Sequence, residues 1–169
     1  MVEALRCEQA NAVELYLQYN GYHWNVSGPL FHDLHAMFDA HAKEVFEMID
    51  PLAERQRILG YPAEYTLESM ARLATLKIDE KLPTTPKEMV ERLVESHHVI
   101  LRGLKETYEM ANRVNDAGTI DLVTRCVAGH EKMEWFLREI LESRAAVMQG
   151  HGIGMVAPAG RRVVVRPGA

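Results

Sequence analysis

Residues 30–59 read LFHDLHAMFDAHAKEVFEMIDPLAERQRIL, and this stretch decides the fold. Leu34, Met37, Phe38, Val45, Met48, Ile49 and Leu52 recur at intervals of roughly three and four residues, the period of a helix with one buried stripe. Pro51 sits inside that pattern and costs a backbone hydrogen bond, which opposes an unbroken helix. The apolar period still continues through Leu52 and Ile58, so one long helix is expected, kinked near Pro51.

Three further long helices frame it. Upstream, Ala4, Leu5, Ala12, Leu15, Tyr16, Tyr19 and His23 share helical spacing over residues 2–26, and Gly28-Pro29 breaks the run. Gly60-Tyr61-Pro62 ends the second segment, and a linker follows in which Thr66 can cap a short helix over residues 66–74. Thr85-Pro86, with Glu88 close behind, opens a third long helix that reaches about Val114. Its inward face is expected to carry Val90, Leu93, Val94, Leu101, Leu104, Tyr108 and Ala111. After the turn Asn115-Asp116-Ala117-Gly118, a fourth helix runs from about Thr119 to Met148, with Leu122, Cys126, Met133, Phe136, Leu137 and Ile140 on one face. The expected fold is all-α: a four-helix bundle with a long crossover, carrying a short helix, between the second and third helices. Residues 1–150 form that domain, and residues 151–169 form a Gly-containing tail.

The bulk properties narrow the class. A chain of 169 residues is one domain's worth and needs no disulfide to hold a core. The net charge of −5 argues against a protein built mainly to coat nucleic acid. Cys7 and Cys126 form no redox or metal spacing motif and suit a reducing compartment. The first nine residues show no signal-peptide pattern, and no apolar stretch has the length of a membrane span. A cytoplasmic globular protein without membrane association is expected.

The second helix also carries the chemistry. His35 and Asp39 lie one turn apart, as do Asp50 and Glu54, the spacing that lets two side chains reach one ion. All four fall within a sector about 100° wide, yet Asp39 and Asp50 are about 16 Å apart along the axis, and His35 and Glu54 about 28 Å. One helix therefore cannot close them on a single ion. A two-fold axis can, because 35 pairs with 54 and 39 with 50 about the same point, between Glu44 and Val45. An antiparallel crossing of two copies there faces His35 and Asp39 of one chain with the acids of the other, giving two equivalent sites. Imidazole and carboxylates suit ferrous iron, manganese or zinc, and the donors alone leave that choice open. Taken alone, such acid pairs are most often a solvated helix face.

The surrounding sequence adds weight. Tyr22-His23-Trp24-Asn25-Val26-Ser27-Gly28 precedes Phe31, Leu34-His35, Phe38-Asp39 and Ile49-Asp50, with Leu52-Ala53-Glu54-Arg55 and Gly60 following. With Glu131-Lys132 and Trp135-Phe136-Leu137 in the fourth helix, this pattern resembles the Dps family of mini-ferritins over about residues 5–148. The resemblance implies a ferritin-like bundle and a ferroxidase centre of His23, His35 and Asp39 from one subunit with Asp50 and Glu54 from its mate. It implies iron as the metal, oxidised from the ferrous to the ferric state with hydrogen peroxide in preference to dioxygen, while the donor set itself leaves zinc open as a competing occupant. It also implies ferric mineral in a hollow dodecamer built from two-fold dimers, protecting the cell from oxidative damage. Trp24, beside the site, would either intercept a radical or pack.

Several competing assignments bear on the same residues. A ferritin-type centre inside one bundle needs two Glu-x-x-His units. Glu95 and His98 supply one, but Val127 stands where the fourth helix would need its glutamate before His130. His97 and His130 are expected to be buried and satisfied by hydrogen bonds, whereas His32, His41 and His151 are expected at the surface. Asp116 and Asp121 are candidates for guiding ferrous iron at a three-fold axis, or for complementing the fourth helix dipole. Relatives that bind DNA use a Lys- and Arg-rich tail. Here the tail has only Arg161, Arg162 and Arg166, and Val163 to Val165 can pack it on the shell, so DNA binding is not expected.

Overall fold

The computed structural model describes the backbone of residues 1–148 and the side chains of residues 1–142. The tail arginines, Val163 to Val165 and His151 lie outside the described residues. Five helices follow in order: α1 (Val2–Asn25), α2 (Phe31–Ile58), α3 (Leu67–Leu73), α4 (Pro86–Arg113) and α5 (Ala117–Met148). There is no strand among the described residues.

Local chemistry sets the boundaries. Helix α1 ends where Val26 turns extended, and Gly28 with φ of +95° makes the turn into α2. Gly60 with φ of +88°, a left-handed backbone that side chains resist, follows the C-cap of α2. The Thr66 side chain accepts from the Ser69 N–H and starts α3. Thr85 and Glu88 form a reciprocal capping box at α4, with Pro86 in its first turn. Asp116 accepts from the Thr119 N–H at 3.0 Å and caps α5, and Arg55 of α2 pairs with the same carboxylate.

The helix over residues 31–58 persists through Pro51 as one segment. Its buried stripe of Leu34, Phe38, Val45, Leu52 and Gln56 runs across the proline, so packing outweighs the lost backbone bond.

Helix α1 packs chiefly on α2 and α4 on α5, while the crossover over residues 59–85 lays α3 against α1. Leu5, Leu15, Tyr19, Leu34, Phe38, Val45, Leu93, Leu104, Met133 and Leu137 fill one continuous core. Each fully buried aliphatic or aromatic side chain there contributes about 1.5–3 kcal/mol. Cys7 and Cys126 are both free, and burial pushes the Cys126 thiol up to about 11.

Three side chains depart from expectation. Tyr108 is more than one-third exposed, because it lines a groove between α4 and α5 beside His98, Leu101 and Val127. Phe136 is also only partly covered, stacked on His41 at 6.1 Å. His41, expected at the surface, is 3% exposed. It falls three residues after Phe38 and four before Val45, on the apolar stripe, and its ring nitrogen has a buried partner in the Tyr19 hydroxyl at 3.1 Å.

Candidate metal centre

The last turn of α1 carries His23 and the first turns of α2 carry His35, and the short Gly28-Pro29 connection brings them together. Their rings stack at 3.8 Å with planes 21° apart. Nδ1–H of His23 donates to the His35 carbonyl at 2.8 Å, and Nδ1–H of His35 donates to the His23 carbonyl at 2.9 Å. Each contact thus holds a proton on Nδ1, so that in the neutral ring Nε2 is the nitrogen with a free lone pair. Backbone carbonyls orient metal-binding imidazoles in this way. The Phe31 ring, 5.0 Å from His35, walls one side.

Asp39 lies one turn beyond His35. Its carboxylate accepts from Lys43 Nζ at 2.6 Å, and that hydrogen bond holds it below the usual carboxylate range, with His23 and His35 adding in the same direction. Asp39 therefore stays anionic into acid, as a ligand for a hard or borderline cation must. A metal ion would displace Lys43, whose ammonium sits on an exposed, flexible stem.

Asp50 and Glu54 stand apart on the same helix, both exposed and with no ion pair to another of the described residues. The folded chain therefore brings His23 and His35 together with Asp39 one turn away, and leaves the two acids further along α2. Among the described residues, no three His, Cys, Asp or Glu side chains of one chain converge on a metal position. Next to Glu44 and Val45 in α2, Phe46 is 55% exposed and packs on Tyr16 at 5.4 Å, and Leu17 of α1 is also uncovered. Exposed apolar side chains grouped this way suit association with another copy.

The other sequence candidates resolve differently. Asp116 is occupied as the α5 cap and by Arg55, so dipole complementation accounts for it. Asp121 is exposed and pairs with Arg125 one turn on. Trp24 is 71% exposed and does not pack inside its own subunit. His97 and His130 are buried as expected, 3.1 Å apart through their Nδ1 atoms. His98 pairs with Glu134 at 3.2 Å, leaving Glu95 outside any bundle-centred pair with it. Sequence reasoning missed that Tyr19 and His41 join His97 and His130 in one hydrogen-bonded core layer. The signal was available in the register of His41 with Phe38 and Val45.

The family description "Ferritin-like domain" matches residues 2–145. Within that class the similarity is specific. A DNA protection during starvation protein of Brevibacillus brevis is 33% identical over 138 residues, covering 82% of this chain and 92% of its own length. The Dps structure from Thermosynechococcus elongatus superposes with a TM-score of 0.80 at 41% identity, covering 83% of this chain and 88% of that one. A Dps from Vibrio cholerae O1, described as a member of a broad superfamily of ferritin-like diiron-carboxylate proteins, gives 0.79 at 28% identity, covering 83% and 87%. The chain belongs to the Dps family of ferritin-like proteins.

Proposed function

We propose that this protein stores and detoxifies iron, oxidising ferrous iron with hydrogen peroxide at centres shared between two-fold-related subunits. In each centre His23, His35 and Asp39 of one chain meet Asp50 and Glu54 of the partner subunit. The observation that carries this reading is the reciprocal His23–His35 pair, which fixes two imidazoles in the metal-binding tautomer at 2.8 and 2.9 Å from each other's carbonyls. The unpaired Asp50 and Glu54 supply the complementary charge, and the Phe46 patch at the symmetry point supports the dimer.

The chemistry asks for positioning and charge. Two ferrous ions each give one electron to peroxide, whose O–O bond breaks to two hydroxides, so no hydroxyl radical is released. Carboxylates favour the ferric product, and the imidazoles are suitable ligands for ferrous iron. Ferric iron then moves to a mineral inside a twelve-subunit shell. Zinc competes for the same donors.

Metal-stripped protein, loaded anaerobically with ferrous iron and then given peroxide, tests this. Fast oxidation with iron retained by a particle of about twelve subunits is expected from family assembly and point-group closure. An assembled, zinc-free shell that leaves ferrous iron unoxidised would falsify the ferroxidase assignment.

A further inference from the structure

We infer that Tyr19 is a one-electron donor buried beside the metal centre, with His97 as the base that takes its proton. This rests on the ferroxidase reading above for its source of oxidant. One polar side chain from each long helix meets in the same core layer: Tyr19 of α1, His41 of α2, His97 of α4 and His130 of α5. The Tyr19 hydroxyl lies 2.6 Å from His97 Nε2 and 3.1 Å from His41 Nδ1, and His97 Nδ1 lies 3.1 Å from His130 Nδ1. The shorter contact suits O–H donation from Tyr19 to His97. One assignment is consistent with all three contacts: His41 Nδ1–H donates to the Tyr19 oxygen, and His97 Nδ1–H donates to His130 Nδ1. Tyr19 and His97 are both fully buried.

A phenol loses an electron readily only if its proton leaves at the same moment, and the 2.6 Å contact provides that route. Tyr22 gives the contrast on the same helix. It is also buried, but its hydroxyl meets the Gln18 amide, which offers no base. Tyr19 lies one turn from His23, about 6 Å along the axis. Its ring packs on Phe38, the neighbour of Asp39, at 6.2 Å.

The oxidant is the hydroxyl radical made when a lone ferrous ion meets peroxide, giving ferric iron, hydroxide and the radical. That radical takes one electron from Tyr19 and one proton from solvent to become water. The Tyr19 proton passes to His97 Nε2, leaving a neutral tyrosyl radical and an imidazolium, and the His97 Nδ1 proton can move on to His130. A second ferrous ion then returns the electron, and the proton returns with it. Tyr19 thereby converts a one-electron accident into the oxidation of another ferrous ion.

The test uses assembled shells in two arms, freeze-quenched for electron paramagnetic resonance. In one, ferrous-loaded shells receive peroxide; in the other, metal-free shells are oxidised by azide radicals. A neutral tyrosyl spectrum is expected in both, retained in Tyr22→Phe and largely lost in Tyr19→Phe. His97→Gln, which keeps a hydrogen-bonding partner but removes the base, should lower the yield several-fold, and it decides the matter if Tyr19→Phe does not assemble. A signal of equal size in wild type, Tyr19→Phe and His97→Gln overturns the assignment, as does none in either arm while iron is oxidised normally. A Tyr19-dependent signal in the metal-free arm alone keeps Tyr19 as the electron donor and rejects the iron chemistry instead.

Discussion

His35 does two jobs through one ring. Its Nδ1–H satisfies the His23 carbonyl, and its own carbonyl fixes the His23 ring. His35→Ala removes one imidazole and the partner that orients the other. We expect ferrous or cobaltous affinity to fall at least about tenfold, measured by anaerobic titration calorimetry; unchanged affinity would remove the pair from the site. Glu8 poses a different problem. Burial pushes its carboxyl up to about 7, against weaker help from Asn11 and Thr107. A raised carboxylate pKa means that the unfolded chain releases its proton first, so stability is lost as pH rises from about 4.5 to 7. Glu8→Gln should therefore raise stability at pH 8 by up to about 3 kcal/mol and change little at pH 4. Denaturant melts at the two pH values check this, and equal effects at both would contradict it. His130 works in the opposite sense, because burial lowers it to about 4. Its contribution is complete above about pH 6.5 and is lost as pH falls towards 4.

The helices were legible because their periods are long and their ends chemically marked. Thr66, the Thr85-Pro86 start and the Gly60 stop all do in the structure what their chemistry demands. The polar core layer was harder to read, because register can place a histidine on an apolar stripe without naming the buried group it meets. His41 shows this: only the folded chain supplies the Tyr19 partner, 22 residues away. The metal site was half legible. His23 and His35 meet within one chain, whereas Asp50 and Glu54 lie further along α2, and no group of three donors converges among the described residues. If α2 crosses its copy near Glu44 and Val45, then Phe46→Glu should place like charges across that axis and split the dimer. Analytical ultracentrifugation should show smaller species, with the helical circular dichroism kept; an intact assembly would place the interface elsewhere.

A ferritin-like bundle normally keeps its metals in its own middle, between its four helices. In this chain that space holds Tyr19, His41, His97 and His130, hydrogen-bonded to one another and shielded from water. The half-buried His23–His35 pair, Asp39 and the exposed Asp50 and Glu54 instead lie along one edge formed by α1 and α2. The core of the molecule thus holds a polar layer, and the candidate metal donors lie outside it.

Complementation between two inactive chains tests that arrangement. One chain carries Asp50→Ala with Glu54→Ala, the other His23→Ala with His35→Ala. Each alone should assemble and oxidise ferrous iron with peroxide at near-background rates. Unfolded together in equal amounts and reassembled, half of the dimers pair unlike chains, and each of these regains one of its two centres. The mixed shells should therefore recover about a quarter of the wild-type rate. Mixed shells that assemble but stay as inactive as their parents, beside an active wild type, would contradict a centre shared between subunits.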